Sequence, residues 1–207
     1  VIPLIGMDID PPSILVPFLV FSIAAIGLNI LTGYCGQVSL GTGGFMACGA
    51  FFTFKLTTAM PELNILLVFL LAGFGTALVG IAFGLPSLRI KGFYLAIATL
   101  AAQFFLIWMF TQNPWWTNHS AAGVITAPPR ALFGDFYITG IRATPLNKYI
   151  FLLCFTALLA LVAKNLVRSA LGRAWMAIRD MDIAAEIIGI RPLAAKLSAF
   201  AVSSFFI

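Results

Sequence analysis

SILVPFLVFSIAAIGLNILT, Ser13 to Thr32, carries no charged residue, and this run decides the class of fold. About 20 such residues in a helix cross the roughly 30 Å of a bilayer's hydrocarbon. The rest of the chain agrees with it. Of the 207 residues, 61% are hydrophobic and 9% charged, with a mean hydropathy of +1.05, far outside the range of a soluble domain. The net charge of +5 is not a nucleic-acid signal, because the basic residues lie beside apolar runs and form no stripe with interleaved aromatics. Cys35, Cys48 and Cys154 sit in apolar surroundings with no CxxC. They read as reduced, buried thiols, with no disulfide framework and no metal site.

Upstream of this run, Val1 to Pro12 holds Asp8, Asp10 and three prolines and reads as an exposed lead-in. Downstream comes GYCGQVSLGTGG, Gly33 to Gly44, with five glycines in twelve residues. A straight continuous helix is not expected there. Irregular backbone at membrane depth is tolerated only inside protein or beside an aqueous cavity. The segment therefore reads as a broken or tightly turned element, with a plain interhelical turn as the alternative. Further spans are expected at about 37–54, 63–85, 93–112, 149–163 and, incomplete, 193–207. Together with 13–32 they make an all-α polytopic transmembrane bundle, a single domain over 1–207. The start without methionine and the apolar end at Phe205, Phe206 and Ile207 suggest a fragment truncated at both ends. Thr76, Gly80 and Gly84 form a small-residue ridge suited to close helix packing. Ala96, Thr99 and Gln103 share one side of the fourth span and should point into the bundle. Asn29, Gln37, Ser39, Thr99 and Gln103 are the candidates for lining a translocation path.

Asn113 to Asn147 contains Trp115 and Trp116 and no 20-residue apolar run, and reads as an external loop. His119 has no partner at metal-ligand spacing, and Asn118 to Ser120 is only a weak glycosylation sequon. The charge is concentrated in GRAWMAIRDMDIAAEIIGI, Gly172 to Ile190. Its apolar positions Ala174, Ile178, Met181, Ala185 and Ile188 fall on one helical stripe. Arg179, Asp182 and Glu186 lie opposite. Gly172 is expected to break the backbone before this short helix, and Gly189 to close it as a C′ glycine before Pro192. Its stripe needs a cover, whether a membrane surface, a partner protein or its own bundle. By the positive-inside rule the loop with Arg89 and Lys91 and the region from Lys164 to Lys196 are cytoplasmic.

No nucleotide-binding P-loop, GxSxG, HExxH or Ser/His/Asp set is present in the sequence, so no catalytic residue is assigned. None of the expected spans has an Asp, Glu, Lys or Arg in its interior, whereas ion-coupled pumps usually keep an ionisable residue at membrane depth. Whatever powers transport should then come from elsewhere, and a soluble motor subunit could deliver it at the charged helix.

Three segments carry a family resemblance: GLNILTGYCGQVSLGTGGFMACGAF (Gly27 to Phe51), GLPSLRIKGFYLAIATLAAQF (Gly84 to Phe104), and NLVRSALGRAWMAIRDMDIAAEIIGI (Asn165 to Ile190) followed by KLSAFAVSSF. The chain resembles permease subunits of ABC importers of the branched-chain amino acid type, the LivM-like family. The resemblance implies a multi-pass protein of the bacterial inner membrane. It implies a homologous permease, two cytoplasmic ATPase subunits and a periplasmic binding protein as partners. No cofactor is expected on this chain, and ATP would sit on the partner subunit. Gly172, Ile178, Arg179, Met181, Asp182, Ala184, Ala185, Glu186 and Gly189 would form the ATPase-coupling element. Leucine, isoleucine and valine are the implied substrates, with urea or short amides as the alternative within the same class. A secondary transporter, a channel and a membrane-anchored assembly protein stand outside it. NHSAAG, Asn118 to Gly123, departs from the threonine- and glycine-rich segment usual in similar proteins.

Overall fold

The structure is a computed structural model and is described for residues 11–87, 93–117, 128–131, 137–140 and 143–207. Residues 1–10 of the acidic lead-in, the Arg89 and Lys91 loop, and the histidine with its sequon lie outside the described residues, while Pro11 and Pro12, expected in the lead-in, open the first helix. The helices are α1 (Pro11–Asn29), α2 (Thr42–Ala59), α3 (Ile65–Ser87), α4 (Phe93–Gln112), α5 (Pro145–Arg168), α6 (Ala170–Asp180), α7 (Asp182–Ile187) and α8 (Pro192–Phe206). A π-helical turn, Ile30–Tyr34, continues α1. A two-stranded antiparallel ribbon, β1 (Arg130–Ala131) with β2 (Tyr137–Thr139), stands between α4 and α5. Among the described residues four segments are long and apolar enough to cross a membrane: Ile14–Tyr34, Ile65–Pro86, Tyr94–Gln112 and Pro145–Arg168. The fold is an all-α polytopic bundle.

Helix α2 differs from the expected span of 37–54 at both ends. It starts only at Thr42, because Gly36 has φ +69° and the residues from Gln37 to Gly41 are not helical. It then runs through Lys55, expected in a loop, to Ala59. Two things favour the extension. The Lys55 ammonium stands 4.3 Å from the centre of the Trp115 ring, which offsets loss of water around the charge. Arg130 donates to the carbonyls of Thr57, Met60 and Pro61, supplying donors where the helix end has none of its own.

The centre is built on close helix approach. A Cβ at Gly80 would lie 2.3 Å from Ser204 Oγ, and one at Gly84 would lie 3.3 Å from Phe200, so these glycines bring α3 and α8 together. Phe200 in turn meets the Phe45 ring edge-on at 5.7 Å. At the Trp115 end, Phe51 stacks on Phe110 at 4.9 Å and Phe110 meets Trp116 edge-on at 4.9 Å. Such pairs hold the ends of α2 and α4 in fixed register.

The single helix expected over 172–190 is two. The chain turns at Ser169, where ψ is 178°, and again at Met181, with φ −154° and ψ 100°. Gly172 is therefore inside α6 and not a break before it. A Cβ there would lie 1.9 Å from the carbonyl oxygen of Val167, so glycine is what lets α5 fold sharply into α6.

Candidate functional site

The elbow between α6 and α7 and the glycine-rich break after α1 meet one another. Arg179 Nη1 donates to the Gly33 carbonyl at 2.9 Å, while its Nε reaches the carboxylate of Asp180 at 3.0 Å. A Cβ at Gly36 would stand 2.9 Å from Arg179 Cγ, so the absent side chain leaves room for the arginine stem. The ammonium of Lys196 on α8 pairs with Asp182 at 2.5 Å. One charged pair thus ties the start of α7 to α8, and one guanidinium ties the end of α6 to the π turn. Trp175 is fully buried, and its Nε1 donates to Ser198 Oγ at 2.9 Å. That ring locks α6 onto α8. Sequence reasoning passed over Trp175, although a lone tryptophan in a charged helix of high amphipathicity was the available signal.

The stripe divides at the elbow. Ile178 is 3% exposed and Ala185 is also buried, whereas Met181 is 69% and Ile188 73% exposed. The reason is the extended backbone at Met181, which resets the helical phase. Of the residues expected in the coupling element, Ile178 has its side chain packed within the bundle. The outward apolar surface instead comprises Met181, Ile183, Ile187 and Ile188. Ala184 and Glu186 are also exposed, and Asp182 is half-buried. Gly189, with φ +91°, ends α7. Its N–H bonds to Glu186 O and that of Ile190 to Ala185 O, each at 3.0 Å, the paired bonds of a Schellman motif.

Four of the five path candidates cluster at the break. Thr99 is buried, accepts from Leu40 N at 3.0 Å and donates to Ala96 O at 2.9 Å. Ser39 is buried, and its hydroxyl accepts from Gly41 N at 3.3 Å. Gln37 is 5% exposed; Nε2 reaches Cys35 Sγ at 3.5 Å and Oε1 has no partner among the described residues. Gln103 is half-buried and lies against Gly43 and Gly44, where a Cβ on Gly44 would be 2.7 Å from the Gln103 Cα. Asn29 is apart from these. It is exposed and lines a groove between α1 and α5. Burial pushes the Cys35 thiol up to about 11; Lys196 pulls it down and Asp182 pushes it up.

Two open clefts lie beside the cluster. One of about 320 Å³ lies among α2, α3, α4 and α8, with Thr99 as the polar contributor to an otherwise apolar wall. A larger one of about 580 Å³ is apolar apart from Thr53 and Thr76. Neither includes Gln37, Ser39 or Gln103.

The fold and the site together define a multi-pass helical membrane protein with an amphipathic elbow at one end of its bundle. The chain belongs to the family described as branched-chain amino acid transport system / permease component, which matches residues 12–206. Two similar proteins are the high-affinity branched-chain amino acid transport system permease proteins LivM of Salmonella typhimurium and Escherichia coli. They are 33% identical over 208 residues and 34% identical over 206, covering in each case 91% of this chain and 48% of the relative. The chain thus spans about half the length of the curated relatives it matches. No solved structure matches it significantly.

Proposed function

We propose that this chain forms the membrane-spanning part of an ATP-driven importer for leucine, isoleucine and valine in a bacterial inner membrane. The named relatives support the substrate class, and the elbow supports the source of drive. The observation that carries the reading is the contrast within α7. Ile183 and Ile187 are 78% and 81% exposed, yet they sit on a six-residue helix held to the bundle by Lys196 and Ala185. A helix so short has little stability of its own. Here the bundle holds it with its apolar side outward, a surface suited to the groove of a soluble ATPase subunit. A homologous permease, two ATPase subunits and a periplasmic binding protein complete the assembly in this reading.

Reconstitution of the full permease pair with its ATPase subunits and binding protein in proteoliposomes tests it. Labelled leucine should accumulate only with ATP, and unlabelled isoleucine or valine should compete. Urea competing in their place moves the substrate class. Uptake independent of ATP overturns the reading.

A further inference from the structure

The groove in which Asn29 lies, about 350 Å³ between α1 and α5, has a composition that the transport reading does not use. Its accessible apolar wall comes from Ile26 on α1 and from Ala160 and Val167 on α5, with the buried Ile30 and Ala163 beneath them. One end is rimmed by Lys164 and Arg168, and Tyr34 stands with Asn29 on the facing side. Both cations are exposed, and among the described residues neither has a carboxylate within ion-pair distance. Asp180 and Asp182 are already taken by Arg179 and Lys196. On α5 the cations follow immediately after the apolar run that ends at Ala163, so they sit at the level where hydrocarbon gives way to headgroups.

From this geometry we infer that the groove binds an anionic phospholipid, its acyl chain along Ile26, Ala160 and Val167 and its phosphate at Lys164 and Arg168. The argument is one of charge complementarity. An uncompensated pair of cations at a bilayer surface attracts anionic lipid over zwitterionic lipid. An amphiphile with an anionic head and an apolar tail is the one occupant that satisfies both halves of the groove. Asn29 and Tyr34 bring polar groups to the same end, where glycerol and ester oxygens of the lipid would be met. The inference needs α1 and α5 to cross a membrane with the groove between them open to lipid; it does not need the substrate or the ATPase coupling of the transport reading.

The test uses the full chain purified in detergent, exchanged against phosphatidylglycerol or phosphatidylcholine, with retained lipid counted by native mass spectrometry. Phosphatidylglycerol should be retained about tenfold over phosphatidylcholine. Lys164→Gln with Arg168→Gln should abolish that preference, while Arg191→Gln, which removes a cation outside the groove, should keep it. Ala160→Phe fills the groove from an exposed wall position without altering charge and should also reduce retention. Circular dichroism checks that each variant is folded. Equal loss with Arg191→Gln, or full retention with Ala160→Phe, overturns the inference, since lipid would then be following net charge alone.

Discussion

Arg179 and Gly33 lie 146 residues apart in sequence and share a hydrogen bond of 2.9 Å. The bond runs from the amphipathic elbow to a carbonyl of the π turn that ends the first span. Such turns leave carbonyls without an intrahelical donor, and an arginine supplies one. The same elbow is joined to α8 at two further points, through Trp175 on α6 to Ser198 and through Asp182 on α7 to Lys196.

Arg179→Ala should lower stability by about 1 kcal/mol, the usual net value of one such bond at a partly exposed site. Gly36→Ala should cost about 1–2 kcal/mol for its left-handed backbone, with added crowding against the arginine stem. Because that stem is one of the two penalties, the two changes should be less than additive in the double variant. Thermal unfolding of all four proteins in detergent reads the cycle, and strict additivity would show that the two residues do not touch.

Two glycines at the ends of the elbow should behave differently. Gly172→Ala drives a methyl group into the Val167 carbonyl and should cost about 3 kcal/mol or more, or prevent accumulation. Gly189→Ala meets nothing within 4 Å and should cost only the 1–2 kcal/mol or so of its left-handed backbone. Membrane abundance compared across the two variants checks the order, which a plain helix-breaking role for Gly172 would reverse.

The apolar runs and the glycine-rich interruption were legible because lipid leaves the backbone few choices. The elbow was legible only as an amphipathic segment. A period of three and four cannot register a single extended residue, so the reset at Met181 was hidden and Ile178 fell on the same stripe as Ile188. Gly172 misled for a related reason: glycine serves equally to end a helix and to admit another backbone. The pairing of Arg179 with Gly33 joins residues with no pattern in common, and nothing local encodes it. Asn29 was grouped with the path because a polar side chain in an apolar run is expected to face inward. Placed where α1 becomes a π turn, it faces the outer groove beside Lys164 and Arg168.

Cys35 offers a chemical readout of the break. Its thiol is held at about 11 against an ordinary 9.0, first by burial, so at pH 8 its thiolate fraction should be about a hundredfold lower than that of an unperturbed cysteine. Alkylation by N-ethylmaleimide should therefore be slow in the folded protein and fast in SDS. The sign for stability follows: the fold favours the neutral thiol, so this contribution is intact below pH 9 and fades as pH rises toward 11. Rapid alkylation of folded protein at pH 8 would mean that the break opens to water.

The elbow makes the sharpest prediction, because Ile178 and Ile187 face opposite ways. Ile178→Asp puts an unpaired carboxylate among buried side chains, which costs several kcal/mol, so folded protein should disappear from the membrane. Ile187→Asp places the same charge on a side chain already 81% exposed and should leave abundance and unfolding temperature unchanged. If α7 is the docking surface for an ATPase subunit, that charge enters an apolar contact when the complex forms. Association should then weaken by about 100-fold or more, and ATP-dependent uptake should fall with it. Membrane abundance and ATPase co-purification, measured on both variants, separate packing from docking. An Ile187→Asp protein that accumulates normally and retains its ATPase at wild-type affinity would remove α7 from the interface, whereas loss of the ATPase from an otherwise intact Ile187→Asp permease places it there.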